Sequence, residues 1–242
     1  MSEAKTAVVT GGGSGVGQAV VLRLLEEGWN VGVIGRRKEA LDETAEKAGD
    51  VGQRLMLCAG DISIEEHVEA LRDEVVSAFG KVHAVVNSAG INVKNRRFEV
   101  LSREDYENVI GVNLTGAFNC VQAFLPGMRE MGEGTIVNIV SEAGKIANGK
   151  AGAPYIMSKF GMDGLTQAIN MEEREGGIRA CSIYPGDINT PILDKRPSPP
   201  PADVRTKMIQ PEDIADCVML VINLPGRTTV EEMMVRPTVF TT

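Results

Sequence analysis

Histidine and cysteine are scarce in this chain of 242 residues, and each shortage argues against a class of site. The two histidines, His67 and His83, stand far apart from any cluster, which argues against a Ser-His-Asp hydrolase and a histidine-rich metal site. The four cysteines form no Cys-x-x-Cys pair, which argues against zinc ribbons and is typical of a reducing compartment. We expect the cysteines to be small core residues, and we expect no metal site.

The chain also lacks an excess of positive charge. Its 25 lysines and arginines face 33 acidic residues, a formal net charge of -8, which argues against nucleic-acid or anionic-membrane partners. It has no run of about 18 apolar residues and no apolar segment ahead of a cleavage site near the N-terminus. With 43% hydrophobic residues it can form a full core. We therefore expect a single cytoplasmic domain over residues 1–242.

Short apolar segments alternate with longer helical patterns along the chain. The predicted strands are 6–10, 30–34, 54–58, 82–86, 134–140, 178–184 and 230–235. The predicted helices run from the glycine cluster to about 27, and over 38–47, 64–79, 103–131, 155–174 and 211–223. Strands separated by helices of this length pair in parallel. The predicted fold class is α/β, a doubly wound parallel sheet of about seven strands with helices on both faces.

One segment breaks this alternation. Residues 194–201 are too rich in proline for a helix or a central strand, and they follow a strand at the ligand-binding edge of the sheet. Two interpretations stay open for residues 187–207: a lid over a substrate pocket, or a stiff surface connection. Similarly, Lys195, Arg196 and Arg205 either recognise a carboxylate or face water.

A glycine cluster lies between the first predicted strand and the first predicted helix. It fits the spacing Thr-Gly-x-x-x-Gly-x-Gly, with Thr10, Gly11, Gly15 and Gly17 at the fixed positions. Glycines let the backbone turn and approach a pyrophosphate, and the helix N-terminus offers unpaired N–H groups. The cluster predicts a dinucleotide phosphate site.

A second motif is Tyr155-x-x-x-Lys159, which puts both side chains on one face of a helix, one turn apart. Lowering a phenol's pKa from about 10 by about 3 units requires roughly 4 kcal/mol. A cation about 4 Å away supplies that energy at an effective dielectric constant of about 20. The pair is thus a candidate proton donor and acceptor near neutral pH. Ser141 ends a predicted strand at the sheet edge where the dinucleotide's reactive end is expected.

The end of the second predicted strand indicates which dinucleotide binds. NAD enzymes usually carry an acidic residue there, which binds the adenosine ribose hydroxyls. Here the position is Gly35, followed by Arg36 and Arg37. A guanidinium suits a 2′-phosphate in charge and geometry, so NADP(H) is favoured over NAD(H), with Arg36 as the principal contact. The alternative is that both arginines are solvated loop residues.

In their order, these motifs resemble the short-chain dehydrogenase/reductase family from about residue 4 to residue 191. The matches are Thr10-Gly11-x-x-x-Gly15-x-Gly17, Asp61-Ile62, Asn87-Ser88-Ala89-Gly90, Asn113, Ser141, Tyr155-x-x-x-Lys159 and Pro185-Gly186 followed by Thr190. The resemblance implies a Rossmann-type reductase in which Tyr155 exchanges the proton and Ser141 hydrogen-bonds the substrate oxygen. It also implies that Lys159 binds the nicotinamide ribose and lowers the pKa of the tyrosine.

The same resemblance implies further roles. Asn113 would hold a water in a proton relay, Asp61 would contact the adenine, and residues 87–90 would line the cofactor cleft. The expected cofactor-binding residues are Thr10, Gly11, Gly13, Ser14, Gly15, Val16, Gly17, Arg36, Arg37, Asp61, Ile62, Asn87, Ala89, Gly90, Tyr155, Lys159, Pro185, Gly186, Ile188 and Thr190. The resemblance also implies a homo-oligomer, a dimer or a tetramer, whose subunits make contact through the helices 103–131 and 155–174.

The function predicted is an NADP(H)-dependent oxidoreductase that interconverts a secondary alcohol and a ketone or aldehyde by hydride transfer on a small molecule. A 3-oxoacyl thioester stays as an alternative substrate class. It is disfavoured because Gly176-Gly177 replace the basic residue typical of acyl-carrier reductases, and because the C-terminal segment lacks their Val-Asp-Gly-Gly stretch. The rival from another class is a non-catalytic, dinucleotide-responsive binding protein, which requires neither Tyr155 nor Lys159.

Overall fold

The computed structural model describes residues 4–238, and within them seven strands form one parallel sheet. The strands are β1 Thr6–Thr10, β2 Asn30–Gly35, β3 Leu55–Ala59, β4 Ala84–Asn87, β5 Gly134–Ile139, β6 Ile178–Pro185 and β7 Glu232–Val235. Their order is β3-β2-β1-β4-β5-β6-β7, and all neighbours are parallel. The chain changes direction across the sheet between β1 and β4, which is where doubly wound folds bind ligands. The predicted fold class is confirmed.

Helices cover both faces of this sheet. They are α1 Gly15–Glu26, α2 Lys38–Ala48, α3 Glu65–Phe79, α4 Arg103–Ile110, α5 Gly116–Met131, α6 Ala153–Glu173, α7 Ala202–Arg205 and α8 Pro211–Asn223. On one face α1 packs against α8, and on the other α3 packs against α5. The arrangement is Rossmann-like, with the central strands buried between two helical layers and the edge strands β3 and β7 partly exposed.

The first strand shows why the apolar runs are continuous rather than alternating. Ala7 and Val9 belong to the core cluster shared with α1 and α8, whereas Val8 belongs to the cluster shared with α3 and α5. All three side chains are fully buried. A strand covered on both faces needs apolar residues at successive positions, and each fully buried valine contributes about 1.5–3 kcal/mol.

The predicted helix over residues 103–131 is interrupted by one π-helical turn, Gly111–Thr115, between α4 and α5. A π turn is wider than an α-helical turn and occurs frequently at functional sites. Here it contains Asn113, whose side chain is fully buried. By length and composition the whole run is apolar enough to cross a membrane, but 56% of its most apolar window is buried inside the fold, as in a core helix.

The largest difference from the predicted elements lies in the proline-rich region. Where a loop was expected, the chain forms a 3₁₀ turn over Pro191–Lys195 and the four-residue helix α7. Pro191 lies in the first turn of the 3₁₀ segment, and Pro201 caps α7. Proline suits such positions because its fixed φ is helical and its missing N–H is not needed there.

Candidate active site

A cavity of about 1450 Å³ opens at the carboxyl ends of the strands. Loops after β1, β2, β4, β5 and β6 all contribute to its wall. Pockets for single drug-sized molecules measure roughly 300–1,000 Å³, so this one has room for a larger ligand or for two ligands side by side. Its position at the crossover between β1 and β4 is the one expected for a dinucleotide.

The glycine loop forms one end of the cavity. Gly11 has a φ of 71°, and a Cβ there would lie 2.8 Å from the Cα of Ala89. Gly15 has a φ of 54°, and a Cβ there would lie 3.0 Å from the side chain of Thr190. Ser14 is the N-cap residue of α1 and makes no side-chain capping bond. The loop therefore exposes bare backbone and the positive end of α1 to the cavity, as an anion site requires.

Two residues of the same motif, Thr10 and Gly17, support the loop from the side that faces away from the cavity. The hydroxyl of Thr10 accepts hydrogen bonds from the backbone N–H groups of Ser88 and Ala89, at 3.1 and 3.0 Å. A Cβ at Gly17 would collide with the carbonyl oxygen of Gly11. Neither Thr10 nor Gly17 lines the cavity. Their placement ties β1, the start of α1 and the loop after β4 together.

Two arginines line the cavity beyond the glycine loop. Arg36 lies 3.7 Å from the carboxylate of Asp61, and Arg37 donates a 3.3 Å hydrogen bond to the hydroxyl of Ser14. Burial opposes ionisation of Asp61, but hydrogen bonds from Ser63 and the charge of Arg36 outweigh it, so the pKa of Asp61 is lowered. Both guanidinium groups are largely exposed at the mouth of the cavity, within reach of an anionic ligand.

The opposite end of the cavity holds Ser141, Tyr155 and Lys159. Ser141 comes directly after β5, while Tyr155 and Lys159 lie one turn apart near the start of α6. The Ser141 hydroxyl neighbours the Tyr155 phenol and acts, through hydrogen bonding, to lower its pKa. The ammonium group of Lys159 lies 5.7 Å from the centroid of the Tyr155 ring and donates a 2.7 Å hydrogen bond to the carbonyl of Ile139. The structure thus brings three of the four predicted catalytic residues into one group.

The fourth, Asn113, lies behind the cavity wall. Its amide oxygen accepts a 2.8 Å hydrogen bond from the N–H of Ile91, and its amide nitrogen donates to the carbonyl of Ile91 and the hydroxyl of Ser158. Between it and the cavity lies Gly90, where a Cβ would be 3.6 Å from the Lys159 nitrogen and 3.8 Å from the Asn113 oxygen. The π turn therefore fixes the loop that faces Lys159. A water-holding role for Asn113 stays a prediction.

The electrostatics of Tyr155 and Lys159 differ from the sequence-based expectation. Burial lowers the pKa of Lys159 to about 7. Burial also raises the pKa of Tyr155, although the Ser141 hydrogen bond and the charges of Arg196 and Arg96 act to lower it. Lys159 is not among the groups that act on the pKa of the phenol in this structure. The cations that act on Tyr155 come from two loops that the motif does not include.

Replacing Lys159 with methionine should stabilise the protein by an amount that depends on pH, because the lysine is buried. The lysine pKa falls from 10.5 to about 7 on folding, so the unfolded state binds more protons between these values. Wild-type stability is therefore lost as the pH falls through that window, at up to about 1.36 kcal/mol per unit. We expect the variant's gain in unfolding free energy to be at least about 2 kcal/mol larger at pH 7 than near pH 10, measured by denaturant titration.

The substitution also leaves the Ile139 carbonyl without its hydrogen-bond donor, at a cost of about 1–3 kcal/mol. Because this cost is the same at both pH values, it cancels when the two are compared. Lys81→Met, at an exposed position, is the matched control and should show no such difference. An equal effect of Lys159→Met at both pH values would contradict the burial argument.

Most of the predicted site residues line this one cavity. They are Gly11, Gly13, Ser14, Gly15, Val16, Arg36, Arg37, Asp61, Ile62, Ala89, Gly90, Ser141, Tyr155, Lys159, Pro185, Gly186, Ile188 and Thr190. Asn87, like Asn113, is buried behind the wall, and its amide donates a 2.9 Å hydrogen bond to Asn138.

The scarce residue types have structural positions. The Nδ1 atoms of His67 and His83 accept hydrogen bonds from the backbone N–H groups of Asp61 and Thr6, respectively. The four cysteines are free; Cys120 and Cys181 are buried, and Cys58 and Cys217 are partly buried. In the part of the chain that the structure describes, no group of three or more His, Cys, Asp or Glu side chains could hold a metal ion.

Arg96 is a buried cavity residue that sequence reasoning missed. It is only 5% exposed, although Arg97 next to it is exposed. Residues 91–100 have no strand or helix periodicity that would indicate which arginine turns inward. Of the three charges left open in the proline-rich region, Lys195 and Arg196 line the cavity, whereas Arg205 lies outside it in an ion pair with Asp194.

The chain was compared with known proteins. A family model described as short chain dehydrogenase matches residues 5–200. An oxidoreductase of Staphylococcus aureus strain MW2, described as uncharacterized, is 33% identical over 235 residues, which are 96% of this chain and 97% of the relative.

Two solved structures are similar over almost their whole length. An alcohol dehydrogenase from the archaeon Thermococcus sibiricus, complexed with 5-hydroxy-NADP, is 27% identical with a TM-score of 0.87, covering 99% of each chain. A 3-ketoacyl-(acyl-carrier-protein) reductase from Brucella melitensis, complexed with NADH, is 27% identical with a TM-score of 0.86, covering 96% of this chain and 97% of that one.

The family match begins one residue before β1 and ends in the proline-rich region, so it includes every motif described above. Together with the relative at 33% identity, it establishes the chain as an oxidoreductase. The chain belongs to the short-chain dehydrogenase/reductase family.

Proposed function

We propose that this protein is an NADP(H)-dependent oxidoreductase that interconverts a secondary alcohol and a ketone or aldehyde. One observation carries the proposal: a single cavity has an anion-binding glycine loop at one end and the Ser141, Tyr155 and Lys159 side chains at the other. A dinucleotide extended between the two ends would have its phosphates at the loop and its reactive ring beside the phenol. When bound, NADP(H) supplies or accepts the hydride.

The cavity wall has the features that a dinucleotide needs. The bare backbone at Gly11 and Gly15 forms a cradle that any Cβ would fill, and the N-terminus of α1 offers N–H groups to a pyrophosphate. Ile62, Ala89 and Ile188 add apolar surface along the wall between the ends. The relatives complexed with an NADP analogue and with NADH bind such cofactors.

The preference for NADP(H) is proposed from the charges at the adenosine end. Gly35 stands where NAD enzymes usually have a carboxylate, and Arg36 and Arg37 line the cavity directly after it. Two guanidinium groups favour a 2′-phosphate by charge and by bidentate hydrogen bonding. Arg36 is the principal contact in this proposal, and its ion pair with Asp61 keeps it at the adenosine end.

The proton chemistry is assigned to Tyr155. Because the pKa of its phenol is raised, Tyr155 is protonated at neutral pH and is ready to donate a proton to a carbonyl oxygen. Ser141, which lines the cavity beside the phenol, would hold the same oxygen. Alcohol oxidation requires the deprotonated phenol, so its rate should rise with pH. Lys159 is proposed to donate to the nicotinamide ribose from its position beside Gly90.

The proposed organisation is one domain working in the cytoplasm as a homo-oligomer. Phe118 on α5 and Met157 and Phe160 on α6 are exposed apolar side chains on the two helices expected to form the contact. Burying them between subunits removes about 25 cal/mol per Å² of unfavourable contact with water. The number of subunits, two or four, can be measured by sedimentation.

Two alternatives are addressed by the same assay. A 3-oxoacyl thioester is the second candidate substrate class, favoured by the similarity to the Brucella reductase. A non-catalytic binding protein has no use for the Ser141–Tyr155–Lys159 group. We expect NADPH oxidation with at least one member of a panel of ketones, aldehydes, oxo acids and 3-oxoacyl thioesters. Tight NADPH binding without oxidation across the panel would support the binding protein.

Residues 187–207 are proposed to be a substrate lid. Its residues Asp187, Ile188 and 190–196 line the cavity, and a 2.6 Å hydrogen bond from Arg96 to the carbonyl of Lys195 ties the segment to the loop after β4. Replacing the prolines between 197 and 201 with glycine and serine should loosen this cover. We expect KM for substrate to rise about fivefold or more with NADPH affinity unchanged, because lids act on substrate capture.

Steady-state kinetics and a direct NADPH titration test the lid. Pro225→Ser, at an exposed position outside the cavity, is the control and should leave both quantities unchanged. Unaltered substrate kinetics in the lid variant would make the segment a surface connection.

A further inference from the structure

The guanidinium of Arg96 is a buried charge that lacks a carboxylate partner. The side chain is 5% exposed, and within residues 4–238 no carboxylate lies at ion-pair distance from it. Of its five N–H groups, three donate to the carbonyls of Val93, Lys150 and Lys195, at 2.7, 3.2 and 2.6 Å. That leaves two N–H groups without a partner in the described residues.

Burying such a charge is unfavourable unless an opposite charge compensates it. Burial lowers the pKa of Arg96, and the positive charge of Arg196 nearby lowers it further. Three carbonyl dipoles satisfy hydrogen bonds but do not neutralise a full charge. An anion in the cavity would supply the missing charge and accept the remaining N–H groups.

Arg196 is the second cation at this position. It forms an ion pair with Asp187 through both terminal nitrogens, and its side chain is 25% exposed to the cavity. Its charge acts on Arg96 and on the phenol of Tyr155, and all three residues line the same cavity. Asp194, another acid of the segment 187–207, is already paired with Arg205.

More positive charge surrounds the pair. Lys94, Lys150 and Lys195 line the same part of the cavity, although the chain as a whole carries a net charge of -8. These lysines are exposed and add to the local potential rather than to a fixed contact.

The position of these cations separates them from the cofactor phosphates. Arg36 and Arg37 stand at the end of the cavity formed after β2, together with the glycine loop. Arg96 and Arg196 stand at the other end, beside the phenol that is proposed to exchange the proton. An anion bound between them would therefore belong to the substrate and not to the cofactor.

We infer that the substrate carries a carboxylate that binds Arg96 and Arg196 beside Tyr155, so that the enzyme interconverts an oxo acid and a hydroxy acid. The inference rests on the proposed function and specifies its substrate class. A carboxylate is favoured because it carries the opposite charge that Arg96 lacks, and because its two oxygens suit the planar N–H groups of a guanidinium. The chemistry is unchanged: the carbonyl carbon gains a hydride from NADPH, and the oxygen gains a proton from Tyr155.

Arg96 also has a structural role that the test must separate. Its three hydrogen bonds join the loop after β4, the segment before α6 and the lid. Its aliphatic stem packs against Gly152, which has a φ of 80°. A loss of this structure would slow acid and ester substrates alike. Loss of carboxylate binding would slow only the acids.

The kinetic test compares each acid with its uncharged methyl ester: pyruvate with methyl pyruvate, and acetoacetate with methyl acetoacetate. We expect wild-type kcat/KM to favour an acid over its ester at least tenfold. Arg196→Gln and Arg96→Gln should each reduce that ratio at least tenfold, which is the effect of losing a charge-assisted hydrogen bond. Arg97→Gln, at the exposed neighbouring position, should leave the ratio unchanged.

A binding measurement keeps the inference independent of turnover. Calorimetry with succinate and with uncharged succinamide, on protein saturated with NADPH, should show binding of succinate alone, weakened at least tenfold by Arg196→Gln. Reduction of esters and acids at equal rates, without succinate binding, would overturn the inference and leave the proposed function intact. Succinate binding that depends on Arg196, without reduction of any carbonyl, would support the anion site and overturn the proposed function.

Discussion

Tyr155→Phe is expected to lower kcat by about a thousandfold on the best carbonyl substrate, within the range of roughly 10²–10⁴ that general acids contribute. Phenylalanine keeps the ring that lines the cavity, but it has no proton to donate. The glycine loop and the two arginines after β2 lie at the other end of the cavity, so NADPH affinity should stay within a few-fold. Steady-state kinetics and a fluorescence titration of NADPH measure the two quantities separately.

Tyr106→Phe is the matched control for this variant. Tyr106 lies on α4, makes a cation–π contact with Arg103 and does not line the cavity. It should retain full activity. If Tyr155→Phe kept more than a few per cent of wild-type kcat, Tyr155 would not be the proton donor.

The double substitution Gly35→Asp, Arg36→Ala is expected to lower kcat/KM for NADPH by about 10- to 100-fold or more. Losing one charge-assisted hydrogen bond to a phosphate costs about 1.5–3 kcal/mol. The new carboxylate also repels the 2′-phosphate, while it can accept hydrogen bonds from the ribose hydroxyls of NADH. The kcat/KM with NADH should therefore stay the same or rise. The ratio of kcat/KM with NADPH to kcat/KM with NADH should fall by at least the same factor as kcat/KM with NADPH.

The structure indicates that the fold tolerates this double substitution. A Cβ at Gly35 would lie 3.3 Å from a terminal methyl of Leu41, a flexible group that can move. Arg36 is about half exposed, so its ion pair with Asp61 contributes little to stability. Arg103→Ala, an exposed arginine outside the cavity, serves as the control. A wild type that prefers NADH, or an unchanged preference in the double variant, would contradict the assignment to NADP.

Local patterns were sufficient to predict the architecture. Apolar runs of strand length, separated by segments with helical periodicity, predict alternating strands and helices and hence a sheet between two helical layers. The helix α8 begins and ends at the predicted residues. The glycine cluster and Tyr155-x-x-x-Lys159 were also identifiable, because each depends on short spacings along one turn or one helix. The carboxyl ends of parallel strands meet at one edge, which is why motifs far apart in sequence share one cavity.

Features set by long-range packing were not predictable in the same way. The inward turn of Arg96 depends on carbonyls from Lys150 and Lys195, which lie far away in sequence. The π turn at Asn113 depends on its hydrogen bonds to the loop after β4. The pKa of Lys159 follows from burial, a property of the assembled fold that spacing along a helix does not reveal.

Transfer of a hydride to a substrate carbonyl can be measured directly with NADPH that carries deuterium at both positions of the reactive nicotinamide carbon. The wild-type enzyme is mixed with this cofactor and the best carbonyl of the panel, and the product is analysed by mass spectrometry. We expect an alcohol with one deuterium on its carbinol carbon, in an amount equal to the NADPH consumed, and almost none from Tyr155→Phe. No alcohol from any carbonyl, or an alcohol without deuterium, would contradict hydride transfer as the function of this protein.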